Sequence, residues 1–196
     1  MNMKKSEETK TRILAAGIQE FAQHGVAGAR VERIAAAAGC NKQLIYAYYG
    51  SKEGLADAVF AAMIEALAND VPFDAVDLAA YAGKLFDYYR ANPHIQRLNS
   101  WYQLERQEEL HALPTRLSSM AQKIAAIGQA QAEGLVTTRY APEEVLALVL
   151  RIAAIGHPGS TEARHASSPE RMRDVIETTI RTLFDPHERA GKAGPA

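Results

Sequence analysis

The side chains best suited to chemistry in this 196-residue chain cluster in one short segment, Lys42-Gln43-Leu44-Ile45-Tyr46-Ala47-Tyr48. In a helix, Leu44 and Ile45 would anchor that segment to a core. Lys42, Gln43, Tyr46, Ala47 and Tyr48 would be left as the outward face. A cation, an amide and two phenols presented together on a short helix suit entry into a major groove, where such groups address base edges. Other chemistries find no comparable cluster. The six histidines are scattered, with no His-Glu-x-x-His, and the two Glu-x-x-His spacings, Glu108–His111 and Glu162–His165, fall in charged or polar stretches that resemble exposed surface more than a metal site. Glycine-rich phosphate loops and Gly-x-Ser-x-Gly are absent. With no nucleophile–base pair to name, no enzymatic activity, catalytic residue, metal ligand or cofactor is expected. A single cysteine, Cys40, excludes an internal disulfide and a multi-thiolate zinc site.

The elements that must position this segment are legible around it. Val31–Ala38 predicts a short helix whose Ile34 and Ala35 are buried, and Gly39 supplies a left-handed turn that other residues resist. Cys40 would plug the turn as a small hydrophobe. Asn41 would cap the following helix, Lys42 to Tyr48 or Tyr49, by accepting from a backbone N–H. This is the spacing of a helix-turn-helix. Upstream, roughly Ser6 to His24 places Leu14, Ile18 and Phe21 on one helical face beside Ile13 and Ala22, with Gly25 as a stop. Downstream, Ser51 is a suitable N-cap for a long helix to about Asn69. Up to Lys52 the chain carries eight basic and four acidic residues; from Glu53 on it carries fourteen basic and nineteen acidic. A small basic module thus precedes an acidic body, which is a cue to a polyanionic partner.

Taken together, Arg12-Ile-Leu-Ala-Ala, Phe21-Ala-Gln-His-Gly, Val31-Glu-Arg-Ile-Ala and the run from Ala38-Gly-Cys-Asn-Lys-Gln to Gly50-Ser-Lys-Glu-Gly-Leu resemble the tetracycline-repressor (TetR) family of bacterial transcription regulators. The resemblance covers about the first 55 residues, in the family's order and spacing. It implies that Lys42–Tyr48 is the base-reading helix. Lys42 and Gln43 then fall where base edges are touched, and Tyr46 and Tyr48 where phosphates or thymine methyls are. Lys52 matches a lysine that meets a phosphate at the start of the fourth helix, where the helix dipole favours an anion. The chain departs from the family at Ala29-Arg30. A hydroxyl that would cap the second helix and bond a phosphate is missing, and Arg30 offers a charge in its place. The family's usual Phe is Tyr49 here, expected to pack with its hydroxyl at an edge.

Eight prolines punctuate segments rich in helix formers, and strand signals are almost absent, so the chain reads as all-α. The expected organisation is a three-helix helix-turn-helix domain over 1–50, a helical ligand-binding and dimerisation bundle over 51–184, and a disordered tail over 185–196. In the body, Asp77–Ala91 carries Leu78, Ala82, Leu85 and Tyr89, with Tyr81, Phe86 and Tyr88 flanking them. The helix opened by Pro93 turns Ile95, Leu98, Trp101, Tyr102 and Leu104 inward, and Pro114–Glu133 offers Leu117, Met120, Ile124 and Ile127. Met63, Phe86, Tyr89, Trp101, Tyr102, Met120 and Ile124 could line an apolar cavity for a hydrophobic effector, with Arg97, Asn99 and Gln103 in reach of a polar group. A filled core is the competing reading for each.

The helix opened by Pro142 is apolar on nearly every side, so it needs burial on two fronts. With the helix over Pro169–Phe184 it predicts a four-helix interface about a two-fold axis, made by Val145, Leu148, Val149, Ile152, Val175, Ile176, Ile180 and Leu183. The family resemblance implies the same homodimer. The expected partners are a double-stranded DNA operator, a second copy of the chain and a small-molecule effector. Val145–Ile155 contains Arg151 and is too short to span a bilayer, and no apolar signal core follows the N-terminal lysines, so a cytoplasmic protein is expected. A helix-turn-helix protein controlled without a small molecule is the alternative.

Overall fold

The computed structural model describes residues 2–155 and 168–186. Expectations that fall on His165 and the tail from 187 onward lie outside them. The described elements are α1 (Asn2–Gly28), α2 (Val31–Ala38), α3 (Lys42–Tyr49), α4 (Lys52–Asp70), α5 (Leu78–Ala91), α6 (Pro93–Glu105), α7 (Gln107–Ala112), α8 (Pro114–Ala132), α9 (Pro142–Ala153) and α10 (Pro169–Phe184). The chain is all-α, with no strand among the described residues. Prolines open α6, α8, α9 and α10, where a missing N–H costs nothing. Ser51 and Ser168 cap α4 and α10 by accepting from the N–H groups of Gly54 and Arg171. The short α7 is the one element the periodicity does not announce among those described; its buried Leu110 and the Arg106–Glu109 ion pair hold what reads in sequence as a charged helix end.

Packing divides the chain into two compact units. The first comprises Met1–Pro72 and Tyr89–Ser119. Here α1 packs against α2, α4 and α6, while α3 rests on α2 and α4. The buried stripe of α1 is Ile13, Gly17 and Phe21 with Ala22, whereas Leu14 and Ile18 are only half-buried. Gly17 explains the rotation: a Cβ there would lie 2.9 Å from Val59 Cγ2, so its bare backbone admits α4 to the face that Leu14 and Ile18 were expected to fill. Leu104 is 78% exposed and Leu117 52%, so neither faces inward as expected.

The second unit comprises Phe73–Tyr88 and Met120–Ala196. Its core holds Leu78, Tyr81, Leu85, Phe86, Ile127, Val145, Leu146, Val149, Ile176, Ile180 and Phe184. A Cβ on Gly83 would collide with the Glu177 carboxylate, so glycine lets α10 lie flush on α5, where Arg173 pairs with Asp87 and Glu177.

This packing corrects the expected dimer interface. Val145, Val149, Ile176 and Ile180 are buried within the chain's own unit, so they cannot form the surface that meets a second copy. Leu148 at 38% and Val175 at 42% exposure remain outward, with Ile152 and Leu183 half-buried. A period-3.6 pattern marks apolar faces without saying which is consumed internally. No helix among the described residues is long and apolar enough to cross a membrane.

Candidate nucleic-acid interface

The turn between α2 and α3 is built as its sequence requires. Gly39 adopts φ 62° and ψ 41°, and the N–H groups of Gly39 and Cys40 donate to Ala36 and Ala35 carbonyls at 3.2 and 3.0 Å. This closes α2 and starts the chain in a new direction. Cys40 is half-buried in that turn. Asn41 Oδ1 accepts from the Leu44 N–H at 2.9 Å, satisfying a donor that the first turn of α3 leaves orphaned. Ile45 is fully buried and Leu44 half-buried, so α3 is anchored on one side only.

Lys42, Gln43, Tyr46 and Ala47 are exposed on the other side, as expected, with Asn41 beside them. Tyr48 is a correction. It is half-buried, its hydroxyl lies 3.0 Å from Ser6 Oγ, and Lys10 Nζ stands 5.5 Å from its ring centre. At helical spacing Tyr48 falls toward α1, and a phenol that can bond Ser6 has reason to pack there rather than face outward. Tyr49 packs as expected, but its hydroxyl is buried with no hydrogen-bonding partner among the described residues. Burial raises its pKa.

Lys52, expected at a phosphate, and Lys42, expected at a base edge, both have partners within the chain itself. Lys52 Nζ donates to the carbonyls of Ala27 and Ala29 at 3.1 and 3.4 Å, pinning the start of α4 to the α1–α2 connector. A cation suits that place because the last carbonyls of a helix are unpaired and carry partial negative charge. Lys42 Nζ lies 3.3 Å from Glu32 Oε1, and both side chains are at least half exposed. Arg30 is exposed at the N-cap of α2 and supplies no side-chain cap.

The connector is instead held by residues that sequence reasoning did not single out. Glu20 Oε1 accepts from the Arg30 N–H at 2.9 Å and from Arg33 Nε at 2.8 Å. Burial pushes the Glu20 carboxyl up, but these bonds and the Arg33 charge outweigh it, and its pKa is lowered. At 3.6 residues per turn Glu20 lies on the Ile13–Gly17–Phe21 face, so a carboxylate inside an apolar stripe was the available signal. Gly25 breaks α1 with φ 71°. A Cβ there would strike the Glu105 carboxylate and stand 3.1 Å from the Trp101 ring. Glu105 Oε2 accepts from the Ala27 N–H at 2.8 Å.

The last turn of α6 also grips α4. The Tyr102 hydroxyl donates to Asp57 Oδ1, and Arg106 Nη2 donates to both oxygens of that carboxylate at 3.0 and 3.2 Å. Burial and the bond to Asp57 raise the Tyr102 pKa. The Tyr102 ring packs on Phe60 at 4.4 Å between centres. Trp101 and Tyr102 thus serve helix packing, which favours the filled-core reading for both. Met63 and Phe86 are buried, while Tyr89, Met120 and Ile124 are half-buried. No group of three or more His, Cys, Asp or Glu that could hold a metal occurs among the described residues.

Comparison with known proteins places both ends of the chain. Residues 13–59 match the model described as bacterial regulatory proteins, tetR family. Residues 77–183 match the tetracyclin repressor-like C-terminal domain. The chain is 40% identical over 189 residues to the HTH-type transcriptional repressor SCO4008 of Streptomyces coelicolor, covering 91% of this chain and 96% of that protein. It is 27% identical over 140 residues to the HTH-type transcriptional repressor NicS of Pseudomonas putida, covering 64% and 66%. The crystal structure of the Streptomyces coelicolor regulator SCO4942 superposes with a TM-score of 0.79 at 37% identity, covering 91% of this chain and 99% of that one.

Proposed function

The chain belongs to the TetR family of DNA-binding transcriptional regulators, and we propose that it acts as a homodimeric repressor that grips a palindromic operator and is released by a small hydrophobic ligand. In this reading residues 1–50 form the DNA-binding module and 51–184 the body that senses and dimerises. The observation that carries it is the row Lys42, Gln43, Tyr46 and Ala47, exposed on a short helix whose other side is locked down by Ile45 and the Asn41 cap. Asn41, Arg30 and Lys52 flank that row as candidates for backbone contact, with Tyr48 in support from the α1 side.

A few phosphate contacts hold one module only at Kd values of the order of 10⁻⁴–10⁻⁶ M. Tethering two modules raises the effective concentration of the second, and a ligand that favours a spacing mismatched to the operator abolishes that gain. Repressor activity is what the names of SCO4008 and NicS state of those proteins. The outward Leu148 and Val175 support a second copy as partner, because these two apolar side chains on adjacent packed helices stay substantially exposed among the described residues.

Control without a small molecule is the second reading. It is favoured by Trp101 and Tyr102, whose rings are spent on Gly25 and Phe60. Selection of bound sites from a random duplex pool tests the main reading. A palindrome is expected; recovery of only unrelated sequences would overturn it. A raised melting temperature with a compound that also releases DNA separates the two modes of control, since a ligand of the native state stabilises it.

A further inference from the structure

We propose that Glu32 sets the sequence discrimination of the recognition surface, as a built-in anion that competes with DNA phosphate for Lys42. The proposal rests on the reading of α3 as the base-contacting helix. Glu32 is the second residue of α2 and Lys42 the first of α3, so the pair spans the two helices at the rim of the outward face. The ammonium and carboxylate are 3.3 Å apart, with side chains 50% and 66% exposed. The Glu32 carboxyl is held below its ordinary value by its own backbone N–H and by Lys42. It is therefore an anion across the neutral range, and it sits in the first turn of α2, where an unpaired helix end would otherwise attract a phosphate.

The consequence differs between duplexes. Non-specific binding is almost wholly electrostatic, a sum of cations exchanged onto phosphates. On a random duplex, moving Lys42 to a phosphate gives up one carboxylate for another anion and leaves Glu32 facing the backbone. Little is gained. At a cognate site, base-edge acceptors such as guanine O6 and N7 offer Lys42 hydrogen bonds that a random sequence lacks, and these offset the broken pair. Glu32 thus subtracts most from the complexes that carry no sequence information. Its exposure makes the pair weak enough to open on demand.

The test uses the full-length protein with the duplex recovered by selection and a scrambled duplex of the same length. For Glu32→Gln, affinity for the scrambled duplex should rise roughly two- to fivefold, the range of exposed ion pairs. Its salt slope should steepen by about one unit as Lys42 is freed for a phosphate. Affinity for the selected duplex should change less, so the ratio falls. In a Lys42→Gln background, Glu32→Gln should leave the ratio unmoved. An equal gain on both duplexes, or a change in ratio that survives without Lys42, would overturn the proposal. Absence of duplex binding by the unmodified protein would instead overturn the reading of α3 on which it stands. Glu32 is exposed, so an unchanged melting curve separates either result from misfolding.

Discussion

Gln43 has little to do inside the chain: it is exposed, and its amide has no hydrogen-bonding partner among the described residues. Gln43→Ala should leave the melting temperature in place and weaken binding to the selected duplex by about 1–3 kcal/mol if the amide makes a bidentate base contact. Equal loss on selected and scrambled duplexes, measured by fluorescence anisotropy, would remove it from base reading. Tyr49 presents the opposite case. Its buried hydroxyl lacks a partner among the described residues, and leaving such a group unsatisfied costs about 1–3 kcal/mol. Tyr49→Phe keeps the ring and deletes the unpaired group, so thermal denaturation should show equal or greater stability; a lower midpoint would mean that the hydroxyl is bonded after all. Lys52 shows where residue-by-residue reading runs short. A lysine at a helix start could be aimed at a phosphate, but only the folded chain reveals that the carbonyls of Ala27 and Ala29 lie within its reach.

Among elements, the α1–α2 connector carries the largest share of what the sequence did not disclose. The helix-turn-helix itself was legible, because Gly39, Asn41, Ile34 and Ile45 act through neighbours a few residues away. Glu105, 78 residues from the N–H it accepts, leaves no local trace, and neither does the pairing of Asp57 with Arg106. Gly25 breaks the helix as its residue type suggests, yet its second requirement, room for Trp101 and Glu105, comes from α6. Gly25→Ala meets both a left-handed backbone and that collision, so chemical denaturation should show a loss beyond the roughly 1 kcal/mol typical of an incompatible Gly→Ala exchange. Glu20 gives the connector a pH dependence. Its folded pKa lies below the ordinary 4.5, so its contribution is present above that value and lost as pH falls through the folded one. Glu20→Gln should lower stability at neutral pH and flatten the acid limb of a stability–pH profile; an unchanged acid limb would show that Glu20 does not drive it. The amphipathic patterns of α9 and α10 identified apolar surface correctly but assigned too much of it to a partner, because Val145, Val149, Ile176 and Ile180 are needed at home.

For the whole molecule, that reassignment changes which substitutions should separate the two copies of the proposed dimer. Leu148→Glu and Val175→Glu place charges on outward positions and should yield folded monomers, whereas Val149→Glu buries an unpaired carboxylate and should unfold the second unit instead. Sedimentation together with circular dichroism distinguishes the outcomes, and an unchanged dimer mass for Leu148→Glu with Val175→Glu would move the interface elsewhere. Weak basic modules become a regulator only when two of them address one duplex, so the account stands on stoichiometry and spacing together. The most direct measurement is the mass of the complex formed with the selected duplex, combined with the separation of its half-sites. Two chains on one palindrome, with half-site centres about 34–36 Å apart or a multiple of that distance, is the predicted result. A single chain on an asymmetric site, or no complex even at low ionic strength, would contradict it.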